Sequence, residues 1–154
     1  MKAPVILAAT GTVAAAAFLG VVAAPAAYDW YQDRHDQSST YTTGTAAKEA
    51  RASVPRWLPD TAQNISYAMR TTGGDRLLKA TLPTPSTLPP TCKKIVPATP
   101  LAHSALKADW FPEDAHSRAT HRCDLYYAYA DGSTLYAWQH NADWVDSNKA
   151  AAGH

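Results

Sequence analysis

The chain has few cysteines and no excess of charge, and both shortages restrict what it can do. Cys92 and Cys123 are its only cysteines and form no C-x-x-C pair, so a dithiol redox motif and a four-cysteine zinc site are excluded. Apart from Lys2, its Lys and Arg residues equal its Asp and Glu residues, thirteen of each. This balance provides no basic surface, and no nucleic-acid partner is predicted.

Familiar catalytic and metal-binding motifs are also missing. The sequence contains neither G-x-S-x-G nor H-E-x-x-H. Glu113, Asp114, His116, His121 and Asp124 cluster in sequence, but the two histidines are five positions apart and lack the i, i+4 spacing of a helical zinc motif. The sequence therefore predicts no catalytic residue, no metal site and no cofactor. A small exported, hydrolase-like enzyme whose active site assembles only in the fold is the alternative.

The longest apolar run covers residues 3–27, which carry no charge. As a helix it is long enough to cross a hydrocarbon core of about 30 Å, and it makes the membrane a predicted partner. Lys2 precedes it and acidic residues follow it, which predicts a single-pass protein with a cytoplasmic N-terminus and its C-terminal domain outside. Ala24-Pro25-Ala26 resembles a cleavage site, so secretion after signal cleavage is the alternative. We assign residues 1–35 to this membrane anchor or signal segment.

Composition divides the rest of the chain into three parts. Residues 36–54 begin with a Ser-, Thr- and Gly-rich stretch that is typical of a flexible spacer. Residues 55–145 are predicted to form the extracytoplasmic domain, and residues 146–154 a disordered tail. In an exported domain of about a hundred residues the core is modest, so a disulfide between Cys92 and Cys123 is expected to add stability.

The stretch from Cys123 to His140, CDLYYAYADGSTLYAWQH, predicts a β-hairpin. Two runs rich in β-forming residues flank Asp131-Gly132, a pair that suits a two-residue type I′ turn. Counting outward from this turn places Tyr127 opposite Tyr136. An isolated hairpin is marginally stable, so further strands or a helix must pack against it.

Period-two alternation sorts the side chains of this hairpin onto two faces. The predicted core face carries Cys123, Leu125, Tyr127, Tyr129, Tyr136 and Trp138. The opposite face, which includes Tyr126 and Leu135, is unusually apolar for a surface that meets solvent. Either a helix covers it, or it is an exposed patch that binds a partner. Tyr126 and Leu135 are therefore candidate binding residues. Trp57, framed by Pro55 and Pro59, either packs on the sheet or is a third candidate, and an envelope protein or glycan is the expected partner.

Three further segments complete the predicted domain. Residues 64–71 and 76–82 form a second hairpin across Gly73-Gly74. Residues 83–100 hold six of the eleven prolines, which excludes a long helix or central strand there. Residues 101–110 are predicted to be the domain's one short helix, packed on the sheet.

Four features share an order along residues 55–140: Pro55-Arg56-Trp57-Leu58-Pro59, an Ile-x-Tyr strand, a Pro-rich stretch with one cysteine, and a cysteine-led, Tyr-rich hairpin. This order resembles that of small uncharacterised exported or membrane-anchored proteins of high-GC Gram-positive bacteria. The resemblance implies export and brings no known activity. The resulting prediction is an α+β, mainly antiparallel β, domain of two hairpins, one short helix and one disulfide behind a transmembrane or signal helix. Its predicted function is noncatalytic binding.

Overall fold

A seven-stranded antiparallel sheet is the centre of the structure, a computed structural model that describes residues 34–96 and 101–153. In chain order the elements are β1 (Asp36–Thr43), α1 (Gly44–Ala50), β2 (Gln63–Arg70), β3 (Arg76–Thr81), β4 (Cys92–Lys94), α2 (Ala115–Arg118), β5 (His121–Cys123), β6 (Tyr126–Asp131), β7 (Thr134–Gln139) and α3 (Asn141–Ala152). The strand order is β1-β2-β3-β7-β6-β5-β4. A mainly antiparallel fold with a few helices is therefore confirmed. The predicted membrane helix of residues 3–27 lies outside the described residues.

The hairpin of β2 and β3 is the one that alternation predicted. Ile65 and Tyr67 point to the same face of the sheet and are fully buried, as their spacing of two requires. The buried guanidinium of Arg76 closes the turn, since its Nη1 donates to the carbonyl oxygens of Arg70, Gly73 and Asp75 at 2.7–3.0 Å. A side chain anchored by three backbone acceptors fixes this turn against the sheet.

The hairpin of β6 and β7 exists, but its register differs from the prediction. Gly132 and Ser133 are the two loop residues, so Tyr127 pairs with Trp138 instead of Tyr136. Of the two loop residues only Gly132 has a positive φ, 58°, which is the pattern of a type II′ turn with glycine first. A slip of two residues keeps every side chain of β6 and β7 on its predicted face, because the side-chain period is two.

The predicted strand through Cys123 is interrupted, and this changes the face on which the cysteine lies. Asp124 and Leu125 form a tight connection in which Asp124 adopts a φ of 55°, so that Cys123 pairs directly with Tyr126. Cys123 therefore lies on the Tyr126 face and not on the predicted one. The disulfide itself is confirmed: Cys92 and Cys123 are opposite each other on β4 and β5, with a Cα–Cα distance of 4.1 Å.

Residues 36–54 are folded, in place of the predicted flexible spacer. β1 pairs with β2 from Asp36 to Thr43, and α1 follows at once. Thr43 caps this helix by accepting a hydrogen bond from the backbone N–H of Ala46. A sequence rich in Ser and Thr is compatible with an edge strand as well as with a linker. In the strand, backbone N–H and C=O groups form hydrogen bonds with β2, whereas in a linker they would form them with water. The folded domain thus begins at Asp36, well before residue 55.

The sheet is covered on both faces by different parts of the chain. On the first face, α1 and the loop of residues 51–62 bury a core of Ala47, Val54, Leu58, Ala62, Ile65, Tyr67, Leu78, Tyr126, Leu135 and others. On the second face lies the strap, our name for residues 101–119. Its Leu106, Ala115 and Ala119 pack with Ala68, Leu77, Tyr129 and Trp138. Two covered faces make this a three-layer arrangement around one sheet.

The strap contains no helix over residues 101–110, and the prediction of one is wrong. The carboxylate of Asp75 accepts hydrogen bonds from the Ser104 hydroxyl and the Ala105 N–H, at 3.2 and 3.0 Å. The indole Nε1 of Trp138 donates to the carbonyl of Ala102 at 3.0 Å. The Ala105 N–H and the Ala102 carbonyl, which would form hydrogen bonds within a helix, are instead bonded to side chains of the sheet region. The segment therefore lies over the sheet without regular secondary structure. The strap's helix is instead α2, which begins fourteen residues after Leu101. The described residues hold three helices, α1, α2 and α3, where one was predicted.

The end of the chain is helical where a disordered tail was predicted. His140 caps α3 by accepting from the Ala142 N–H at 3.3 Å, and Asp143 pairs with Arg122 at 3.2 Å. A Cβ on Gly74 would overlap the side chain of Trp144, so this helix packs directly on the β2–β3 turn. Within the described residues, none of the helices has the length and apolar character needed to cross a bilayer.

Candidate functional site

The two hairpin residues predicted to bind a partner are in the core. Tyr126 is 4% exposed and Leu135 is 0% exposed. The first of the two interpretations, a covered face, is therefore what the structure shows, although the cover is α1 and residues 51–62 in place of residues 101–110. Burial raises the pKa of Tyr126 well above its ordinary value, with the neighbouring Tyr67 hydroxyl adding to the shift, so this phenol stays neutral.

Trp57 is part of the same cover. Its half-buried ring meets the ring of Tyr126 edge to face, with 5.5 Å between centroids and an interplanar angle of 74°. Such a T-shaped pair contributes about 0.5–1.5 kcal/mol beyond area burial. Trp57 therefore packs the first face of the sheet, and a partner that used it would have to contact its remaining exposed edge.

A cleft of about 690 Å³ lies on the other side of the sheet, between the strap and the second face. Leu77 of β3 and Trp138 of β7 form its floor. Its walls and rim come from the strap, as Leu106, Ala108, Phe111, Pro112 and Ala115 on the apolar side and His103, Ser104, Lys107, Asp109, Glu113 and His116 on the polar side. The volume lies in the range of small-ligand sites, and six of the thirteen lining residues are polar.

A disulfide and a backbone hydrogen bond join the chain segments that flank the strap. The disulfide joins β4 to β5, and the Ile95 N–H donates to the carbonyl of Thr120 at 3.0 Å. The strap therefore lies within the loop that the disulfide closes, since Cys92 and Cys123 are 31 positions apart. A loop whose ends are fixed in this way loses less freedom when it holds a ligand than an open loop would.

Phe111 is the aromatic centre of the cleft wall. Its ring makes edge contacts with Trp110, Tyr136 and Trp138, with centroid distances of 6.0, 5.9 and 6.3 Å. Phe111 is half-buried, and these three nearly perpendicular rings restrict the rotation of its side chain. The cleft therefore presents a preorganised aromatic surface.

Two histidines meet at the rim. The rings of His103 and His116 have centroids 3.7 Å apart and planes 47° apart, which joins the beginning of the strap to α2. Glu113 and Asp109 line the same cleft. Among residues 101–153, the ion pairs are formed by arginines with aspartates, and no histidine takes part in one. In the part of the chain that the structure describes, no three His, Cys, Asp or Glu side chains form a group able to hold a metal ion.

The acidic and histidine cluster of the sequence is divided by the fold. Glu113 and His116 line the cleft, whereas His121 lies in β5 outside it, with its Nδ1 2.8 Å from the Thr120 hydroxyl. Burial and the charge of Lys94 lower the pKa of His121. Asp124 forms the turn between β5 and β6. Asp114 is the N-cap residue of α2 and does not line the cleft, so Glu113 and His116 are the members of this cluster that border one cavity.

The hydroxyl of Tyr129 gives a direct test of how the second face is packed. It is buried and has no hydrogen-bond partner among the described residues, and burial raises its pKa to about 12, so it keeps its proton. A buried hydroxyl without a partner costs about 1–3 kcal/mol. We expect Tyr129→Phe to leave the free energy of unfolding unchanged or to raise it by about 1 kcal/mol, as measured by urea denaturation.

Tyr67→Phe is the matched control for this substitution. The Tyr67 hydroxyl is also buried, but it donates to the carbonyl of Ser53 at 2.9 Å. Its removal is expected to cost about 1–2 kcal/mol because the carbonyl of the half-buried Ser53 loses its donor. Equal losses in the two variants would show that the Tyr129 hydroxyl has an acceptor and would contradict the described packing.

Comparison of the chain with models of known protein families, with curated proteins and with solved structures gave no match. The class of protein is therefore defined by fold and site: a disulfide-linked antiparallel β domain whose strap forms a cleft over the sheet. Function must be argued from that cleft.

Proposed function

We propose that this protein is a noncatalytic binding module held outside the cell by its N-terminal segment, and that the cleft beneath the strap is its binding site. The observation that carries the proposal is the cleft itself: about 690 Å³, with the half-buried ring of Phe111 in its wall, the buried Trp138 at its floor, and polar side chains of the strap around it. A small ligand or one unit of a larger envelope molecule is the size that fits.

Export is supported by the disulfide and by the sequence before Asp36. Disulfides persist in oxidising compartments and are rare in the cytosol. The uncharged run of residues 3–27, preceded by Lys2, is long enough for a membrane anchor. A single-pass protein with the domain outside is our proposal, and release after signal cleavage is its alternative. The mass of the mature N-terminus separates them, since a chain starting near Ala27 contradicts the anchor.

The binding proposal is tested on the mature full chain by blocking the cleft. Ala108 lines the cleft, whereas Ala52 is exposed on the loop of residues 51–62. A panel of neutral disaccharides, tripeptides and soluble cell-wall fragments is titrated by calorimetry, and bound regions are mapped by hydrogen exchange. We expect a ligand that protects the strap, at least tenfold weaker binding in Ala108→Trp, and unchanged binding in Ala52→Trp. Ligand protection confined to other regions, or full binding by Ala108→Trp, contradicts the proposal.

One observation favours the alternative, a small hydrolase-like enzyme. His116 and Glu113, three residues apart in the strap, line one cleft together with His103, so imidazoles and a carboxylate border a single cavity as acid–base chemistry would require. Against it, none of the described ion pairs joins these two residues. Mass spectrometry of the bound panel decides: a probe that is cleaved by the wild type but not by His116→Ala or Glu113→Gln establishes the enzyme, and a probe recovered intact establishes binding alone.

A further inference from the structure

We infer that the ligand of the cleft is a neutral saccharide, bound as one or two sugar units of an envelope glycan. This inference rests on the proposed function and specifies the chemical class of its ligand. It follows from three properties of the cleft: the composition of its rim, the rigidity of its aromatic wall, and its position in the middle of the sheet.

The rim combines charges of both signs within a few residues. Lys107, Asp109 and Glu113 are exposed there, and His103 and His116 add imidazoles that both donate and accept hydrogen bonds. With neutral histidines the three charged side chains sum to only one negative charge, so the rim selects neither a strong anion nor a strong cation. Sugar hydroxyls are donors and acceptors at once and match such a mixed set.

The wall beneath this rim contains an aromatic ring that neighbouring side chains hold in place. The half-buried ring of Phe111 is fixed by edge contacts to Trp110, Tyr136 and Trp138, and the strap that carries it is closed by the disulfide. The C–H face of a pyranose is apolar and packs on an aromatic ring, while its hydroxyls point outward to a polar rim. A rigid ring lowers the entropic cost of that contact.

The position of the cleft argues against an extended peptide, the other ligand class that would suit a mixed rim. Its floor comes from β3 and β7, which are the third and fourth strands of seven and are paired on both sides. No strand edge is therefore open at the floor to accept a peptide as an added strand. An extended peptide would lack the main-chain hydrogen bonds that strand addition supplies, whereas a saccharide can be bound by side chains alone.

The test compares two ligand panels on the mature full chain: neutral disaccharides of hexose, pentose and N-acetylhexosamine units, and uncharged tripeptides. We expect at least one disaccharide to bind and to protect the strap from hydrogen exchange. Phe111→Leu keeps an apolar side chain but removes the ring, and should weaken binding roughly tenfold. Asp109→Asn should weaken it as well, whereas Asp146→Asn, exposed on α3, should not.

The possible failures of this experiment are distinct. If tripeptides protect the strap and no disaccharide does, the saccharide inference is overturned while the cleft remains the binding site. If a disaccharide binds equally well to the wild type and Phe111→Leu, or protects a region other than the strap, the inference is also overturned. If neither panel protects the strap, the cleft is not a binding site and the proposed function fails with it.

Discussion

Leu135→Asp is expected to unfold the domain. Leu135 is fully buried on the first face of the sheet, in the same cluster as Tyr126, Ile65 and Leu78. Truncation of such a leucine to alanine already costs about 2–5 kcal/mol, and a carboxylate at the same place adds the penalty of an unpaired buried charge. Domains of this size are stable by only about 5–15 kcal/mol, so the sum removes most or all of the folded population.

Circular dichroism and urea denaturation measure this effect, and two further variants calibrate it. Leu135→Ala should remain folded with a stability lower by about 2–5 kcal/mol. Thr42→Asp, at an exposed position of the edge strand β1, should change stability by less than about 0.5 kcal/mol. A Leu135→Asp protein that stays folded would mean that this face is exposed and would return Tyr126 and Leu135 to the list of binding residues.

Loss of the disulfide is expected to have the second largest effect. With a separation of 31 residues, the loop-entropy model gives a loss of about 3.5–4 kcal/mol for the Cys92→Ala/Cys123→Ala variant. The loss should be concentrated in the strap, because the bond closes the loop that contains it. Faster hydrogen exchange over residues 101–119 and weaker ligand binding in the cleft are therefore expected together.

Reduced wild-type protein is the control for this variant. It lacks the bond but keeps both sulfur atoms, so it separates loop closure from the packing of Cys123, which is fully buried. Similar losses in the two proteins would assign the effect to loop closure. An unchanged denaturation midpoint with unchanged exchange in the strap would show that the Ile95–Thr120 contact and side-chain packing suffice to hold it.

The hairpins and the disulfide could be predicted from sequence because their signals are local or unique. Alternation in residues 64–71 predicted which side chains of β2 share a face. The glycine of the turn predicted the register of the β6–β7 hairpin to within two residues. Two cysteines allow only one intramolecular pair. The absence of catalytic and metal motifs was equally a property of the sequence.

The remainder depended on contacts between distant residues. Ser and Thr in residues 36–43 are compatible with a linker or a strand. The segment forms a strand because β2 is available to pair with it. Residues 101–110 have helix-forming composition, but the Asp75 carboxylate, thirty positions from Ala105, takes the backbone donor that a helix would use. The turn at Asp124 contains no glycine, and so the reversal that moved Cys123 to the other face had no strong local signal.

The candidate site shows the same division. The sequence by itself determined that the hairpin has two apolar faces, that one disulfide closes residues 92–123, and that an uncharged segment precedes the domain. Only the tertiary structure decided which chain segment covers each face. It buried Tyr126 and Leu135 under α1 and brought Trp138, Phe111 and the polar strap residues around one cleft, because burial depends on the packing of segments far apart in sequence.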